Sequence, residues 1–398
     1  MDVQPVLIAL KRQKLASALI ALEIALAFAI VCNAMFIISQ RIERSWIDSG
    51  VGDSELVRIR SSILGKEDAG ARSLEDAAAL RALPGVRAVS LVQQVPFGQS
   101  SWNTDLATRR EQRTGYLNVA KYYDGGGMLA TLGLRLIAGR DFAIDEYVDA
   151  DGASAKVAMV TQAVAEKLWP GQQPLGRAIY EDDNEMTVIG VVANLARPSI
   201  QERRTAYDSV IFPLRAEANR RQEFILRVAD GQSAQVIESA RAELHKLQPN
   251  RLLLNVDTLR ELQESYFKQD RVMAGLLSVA IVALLVITAL GIVGLASFWV
   301  QQRRRQIGIR RALGATRARI FQYFQIENFL IVGGGILLGG MAAYAINAWL
   351  MRHYEVAQLP LVYFPIGAAV MWTLGQLAVL APAFRAMEIS PALAVRSP

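Results

Sequence analysis

The sequence predicts an α-helical membrane protein with four transmembrane helices and a large α/β extracytoplasmic domain between the first two. Three observations carry this prediction. Apolar runs of membrane length, about 20 residues or more, occupy 15–39, 273–300, 324–350 and 364–384. A block of mixed polarity, 46–269, separates the first two and is long enough for cores of its own. Between Gln301 and Ile326 there are seven arginines and no Asp or Glu, the charge bias of a cytoplasmic loop.

Composition bounds the function. The 398 residues are 52% hydrophobic with a mean hydropathy of +0.23, which fits neither an ordinary soluble domain nor a wholly embedded one. The net charge of +6 clusters beside the apolar runs, so it reads as topology and not as a nucleic-acid surface. Cys32 is the single cysteine, which excludes an intrachain disulfide, and His245 and His353 have no metal-ligand spacing around them. No Gly-x-x-x-x-Gly-Lys-Ser/Thr stretch occurs; 333–340 is glycine-rich but lacks the lysine. These residues therefore predict a non-catalytic membrane chain with no cofactor or metal of its own.

In chain order, Lys11, Arg12 and Lys14 precede a first apolar run too long for a signal-peptide core, so 1–45 reads as an uncleaved anchor, N-terminus inside, continuing into a polar stalk. Glu23 interrupts this run; it is either a proton-coupling carboxylate or a residue facing a neighbouring helix or the interface. Within the block, strand 55–60, a Ser73/Asp76 capping box opening a helix that ends at Pro84-Gly85, and strand 88–95 form one unit. Strand 224–228, helix 232–247 and strand 252–256 form another. Together they predict one discontinuous α/β subdomain, 46–113 and 205–258, interrupted by an insertion at 114–204. Acidic clusters at Asp141, Asp145, Glu146, Asp149 and Asp151, and at Glu181, Asp182, Asp183 and Glu185, lack the ligand period of a calcium loop and read as solvated loops.

Thr258 and Glu261 form a capping box before 259–300, a proline-free stalk and second span that would be on the order of 60 Å long as one helix. The connection 301–323 contains Arg303–Ala315, RRRQIGIRRALGA. Ile307, Ile309 and Leu313, with Ile320 and Phe324 beyond, fall at roughly helical spacing. Gly314 is placed to end a short helix and Thr316 to cap the next. Such a loop is either a lipid-headgroup helix or a docking helix for a soluble partner. Gly335 and Gly339 in the third span allow close helix packing. A short outer loop, 351–363, leads to the fourth span and a tail, 364–398.

The loop resembles that of the MacB/FtsX-type ABC transporter permeases, whose usual form is close to REIGIRRALGA. Ile307, Gly308, Ile309, Arg310, Arg311, Ala312, Leu313, Gly314 and Ala315 keep the pattern, and Gln306 departs from its usual Glu. Blocks similar to lGRdF at 138–142, alA..lwPg..plG at 163–176 and viGVV at 188–192 follow the order of the family's periplasmic core, and the tail's Pro391-Ala392-Leu393 resembles its terminal element. The resemblance implies a Porter-like subdomain with an inserted Sabre-like one, in a multi-pass protein of the bacterial inner membrane with both termini cytoplasmic. It implies that the connection 301–323 is the cytoplasmic coupling helix, with 307–315 meeting a separate ABC ATPase. On that footing Ile307, Ile309 and Leu313 are expected to be its apolar anchors. Two copies of that ATPase would carry the ATP and Mg, and a second permease, the same chain or a related one, would complete the transporter. A periplasmic adaptor and an outer-membrane channel are further partners it implies in a Gram-negative cell. Export driven by movement of the outer domain is the expected function. The alternatives are an FtsX-like transducer controlling a cell-wall hydrolase, a LolC/LolE-like lipoprotein-extracting permease, and a non-transport membrane sensor or enzyme.

Overall fold

A computed structural model describes residues 14–51, 55–63, 69–98, 100–112, 114–149, 154–215, 221–354 and 358–389. Asp151 and the tail at 391–393 lie outside these residues. The chain divides into a helical unit, 1–42 with 270–398, and an α/β unit, 43–269.

The α/β unit contains two sheets. Strands β1 (Leu56–Ile63), β2 (Val86–Val92), β12 (Arg221–Val228) and β13 (Arg251–Thr258) form the first, in the order β13-β1-β12-β2 and antiparallel throughout. Helix α2 (Ala69–Arg81) links β1 to β2, and α5 (Ser233–Leu247) links β12 to β13. This is the split β-α-β arrangement of ferredoxin-like folds. Strand alternation directs Val57 and Ile59 to one face, where they pack with Leu80 of α2 and with Val236, Ala240 and Leu244, spaced four apart on α5. Leu56, Val92 and Ile225 enter the core on the other face.

Ser73 and Asp76 do not open α2, which begins four residues earlier at Ala69. Both side chains point into the protein instead. Gln222 Nε2 donates to Ser73 Oγ at 2.5 Å, and Arg251 donates to Asp76 in an ion pair whose side chains are each 1% exposed. Spacing alone cannot separate a capping box from two buried polar residues one helical turn apart. The Thr258/Glu261 box does form: Glu261 N–H donates to Thr258 Oγ1 at 3.2 Å, and Thr258 N–H donates to Glu261 Oε2 at 2.9 Å.

The second sheet comprises β3 (Asn103–Ala107), β4 (Leu117–Tyr123), β5 (Leu136–Gly139), β7 (Val157–Thr161), β8 (Ala178–Glu181), β9 (Asn184–Val192) and β10 (Ser209–Phe212), ordered β5-β9-β7-β10-β4-β3-β8. β8 also pairs with β9, so six of the strands close into a ring around Val119, Val160, Ile179, Val188 and Phe212. A short pair, β6 (Val148–Asp149) with β11 (Leu214–Arg215), stands apart, and helices α3 (Met128–Leu132) and α4 (Gln162–Leu168) complete the insertion. Its sheet takes in β3 and β10, each outside the expected 114–204 segment. Both are short and carry few signals of their own; hydrogen bonding to β4 places them.

The helical unit holds α1 (Lys14–Ser45), α6 (Leu259–Gln302), α7 (Arg304–Ala312), α8 (Arg317–Tyr354) and α9 (Tyr363–Met387), with the outer ends of α1 and α6 belonging to the α/β unit. Helices α1, α6, α8 and α9 are each long and apolar enough to cross a membrane. They meet at glycines. A Cβ on Gly335 would come within 2.6 Å of Ile24 Cγ2, and one on Gly339 within 2.5 Å of the Ala25 carbonyl oxygen. The Glu23 carboxylate occupies the space left by Gly291 of α6, where a Cβ would lie 2.7 Å from it. It therefore faces a neighbouring helix. Arg41 of α1 pairs with Asp270 of α6 at 2.6 Å.

Gly339→Leu should separate α1 from α8 and cost about 1–3 kcal/mol through overpacking. Gly334→Ala, with open space around its Cβ position, should be neutral. The unfolding midpoint of the purified chain in detergent reads both.

Candidate functional site: the basic loop helix

The loop is built by terminating one helix and immediately starting another. Gly314 at φ +93° adopts the left-handed conformation that ends α7. Its N–H donates to the Arg311 carbonyl at 3.1 Å, and that of Ala315 to the Arg310 carbonyl at 3.0 Å, the paired bonds of a Schellman motif. Two residues on, Thr316 Oγ1 accepts the Arg319 N–H at 3.3 Å and caps α8.

Side chains then fix α7 to the membrane helices. Ile307 is 6% exposed and packs with Val300 of α6, Ile320 and Phe324 of α8, and Ala383 and Ala386 of α9. Arg303 reaches both carboxylate oxygens of Glu327 at 2.9 Å and lies over the Trp299 ring. Arg310 lies 5.2 Å from the Tyr323 ring centroid. Arg311 donates to the carbonyls of Met387, the last residue of α9, at 3.0 Å, and of Ile389 just beyond it.

The nine motif residues therefore divide. Ile307 and Gly308 are buried, while Ile309, Ala312 and Leu313 face outward, Leu313 at 83% exposure. Arg310 and Arg311 hold neighbouring helices, and Gly314 and Ala315 make the turn. The expected row of three apolar anchors loses Ile307. Two residues advance a helix by about 200°, so Ile307 and Ile309 point to opposite sides, whereas Ile309 and Leu313, four apart, share a face. Gln306 is exposed, and a carboxylate reaches this loop from α8 instead, as Glu327. A lone Glu inside the apolar run 324–350 was the available signal, since a charge at such depth needs a partner.

The acidic clusters are largely spent on local pairs. Glu146 binds Arg140 at 2.6 Å, Asp149 lies 3.4 Å from Arg215, Lys121 holds Glu181 at 2.5 Å, and Asp141 Oδ1 accepts the Phe142 N–H at 2.8 Å. The Arg140 hydrogen bond holds the Glu146 carboxyl below its ordinary range.

The chain combines four helices of membrane-spanning length and composition, an α/β domain between the first two and a basic helix between the second and third. The MacB-like periplasmic core domain model matches residues 17–243, and the FtsX-like permease C-terminal model matches 278–391. The chain belongs to the MacB/FtsX-type permease family of ABC transporters. Its relatives include a macrolide export ATP-binding/permease protein MacB of Neisseria gonorrhoeae, 27% identical over 239 residues, covering 58% of this chain and 35% of that protein. Another is the MacB of Burkholderia cenocepacia, 30% identical over 263 residues, 62% of this chain and 36% of that protein. The chain thus spans little more than a third of these relatives' length. Among solved structures, the periplasmic region of MacB from Actinobacillus actinomycetemcomitans aligns with 56% of this chain and 97% of its own at 15% identity and a TM-score of 0.35. The extracellular domain of the YknZ transporter aligns with 50% of this chain at 13% identity and a TM-score of 0.33.

Ile307→Asp should destabilise the purified chain by about 3 kcal/mol or more, because a carboxylate would be forced into an apolar seam. Leu313→Asp, at an exposed position, should stay within about 0.5 kcal/mol of the parent. Detergent-state unfolding midpoints measure both.

Proposed function

We propose that this chain is the permease subunit of a mechanotransmitting ABC exporter, and that α7 is its coupling helix. The observation that carries the reading is the exposed pair Ile309 and Leu313 on a short helix whose other side is fixed by Ile307, Arg303 and Arg311. An apolar row on a rigid mount suits a groove on a soluble partner better than it suits open water. The partner is a separate cytoplasmic ABC ATPase in two copies, which binds ATP and Mg. A second permease, the same chain or a related one, completes the assembly, and α6 offers it Val279, Val282 and Val286 on an exposed apolar face.

In this reading the loop and both termini are cytoplasmic, and the α/β unit lies on the far side of the membrane. Hydrolysis displaces α7, and α6, uninterrupted from Leu259 to Gln302, carries the displacement to the α/β unit. Its first turns give that unit a firm grip. Phe267 is buried against Phe97, with ring centroids 5.3 Å apart, and Tyr266 Oη accepts the Ile200 N–H at 2.7 Å. Macrolide export is the activity in the names of the relatives above, and export of a bulky cargo from the far side of the membrane is the class of work proposed. An adaptor and an outer-membrane channel would extend the route in a Gram-negative cell.

Ile309→Asp and Leu313→Asp should each release the ATPase on detergent purification and abolish permease-stimulated ATP turnover, since a desolvated carboxylate costs an interface about 2 kcal/mol or more. Arg305→Ala, an exposed rim charge, should retain the complex and weaken it only at high salt. Full copurification and turnover in both Asp variants would reject the coupling role.

A further inference from the structure

A cavity of about 320 Å³ lies beside the loop helix, within the helical unit. One wall is the last turns of α6, with Ser297 and Gln301; the other is the end of α9, with Arg385 and the following Glu388. Arg304, the first residue of α7, also lines it, and Val300 and Pro382 supply apolar surface. Arg311, bonded to the carbonyls of Met387 and Ile389, holds the chain that forms this end of the cavity.

The lining has a specific charge. Two guanidinium groups and one carboxylate leave a single net positive charge, with a hydroxyl and an amide beside them. A guanidinium presents paired donors suited to phosphate oxygens. The apolar portion belongs to helices that run on as membrane-length apolar segments, so a ligand seated here can carry hydrocarbon along them. Basic pockets between membrane helices at their charged ends are sites for phospholipid headgroups.

We propose that this cavity binds the phosphodiester headgroup of a phospholipid carrying one net negative charge. Arg304 and Arg385 take the phosphate, and Ser297 and Gln301 hydrogen-bond the polar substituent. Glu388 discriminates against headgroups with two negative charges. The bound lipid joins α6, α7 and α9 at one point, adding to the protein contacts that already hold the loop helix. The inference rests on α6 and α9 being membrane spans and needs no ATPase, so it stands or falls apart from the coupling role.

The test is native mass spectrometry and thermal unfolding of the full chain, purified in detergent and titrated with phosphatidylglycerol, phosphatidylethanolamine, phosphatidic acid or inorganic phosphate. Phosphatidylglycerol should bind at one per chain and raise the unfolding midpoint, while inorganic phosphate should do neither. Arg304→Gln with Arg385→Gln should weaken phosphatidylglycerol about tenfold, since both charge-assisted contacts are lost. Arg317→Gln with Arg319→Gln, basic loop positions outside the lining, should leave it unchanged. Glu388→Gln should tighten phosphatidic acid about tenfold, a gain that misfolding cannot imitate. Undiminished phosphatidylglycerol binding in the Arg304/Arg385 variant would overturn the site. An equal loss in the Arg317/Arg319 variant would reduce it to diffuse surface attraction. Protection by inorganic phosphate matching that by lipid would overturn the lipid as its ligand.

Discussion

The seam under Ile307 is the constraint on which the loop helix depends. A nine-residue helix has too few turns to hold its shape alone in water, and α7 carries four arginines that repel one another. It persists because Ile307 drops into a core shared by α6, α8 and α9, and because Arg310 and Arg311 are held by Tyr323 and by the carbonyls of Met387 and Ile389. The Arg303–Glu327 pair, with side chains 11% and 2% exposed, ties the start of the loop to α8. Breaking a pair this buried by removing one partner costs about 3–5 kcal/mol, because the remaining charge has no solvent to return to. A helix anchored along one side in this way moves with its mount, and its free face stays available.

The α/β unit shows the same use of buried polar contacts to fix geometry. Arg58, 3% exposed, grips Asp257 through two bonds of 2.7 and 2.8 Å and so locks β1 to β13, the strand that runs directly into α6. The Arg251–Asp76 pair joins the other end of β13 to α2. Burial pushes the Asp76 carboxyl above its ordinary range despite the guanidinium beside it, so at this carboxyl desolvation outweighs attraction. At Asp124 the carboxylate caps the turn into α3, accepting the Gly126 and Met128 N–H groups at 2.7 and 3.1 Å, with Tyr147 Oη donating at 3.0 Å.

Much of this was legible in the sequence, for identifiable reasons. Four long apolar runs, a basic connection and the Gly314/Thr316 punctuation depend on composition and local conformation, which a single chain displays directly. The two β-α-β units were readable because each is local, and the Thr258/Glu261 box because both of its partners are backbone neighbours. What the sequence hid was direction. Ser73 and Asp76 matched a cap by spacing but serve Gln222 and Arg251, partners more than 145 residues away in the chain. Ile307 resembled Ile309 in every local respect, yet a three-helix core claims one and leaves the other exposed. The limits of the inserted sheet were misplaced because β3 and β10 are strands by virtue of their neighbours.

The central claim is that Leu313 stands at the contact through which an ATPase moves this permease. A photo-reactive benzoylphenylalanine at Leu313, with a second at Tyr344 on the exposed apolar surface of α8 as a control, addresses it in intact membranes. Irradiation should yield an adduct with the ATPase from Leu313 and none from Tyr344. An irradiated Leu313 variant that reacts with lipid and never with an ATPase would contradict the account.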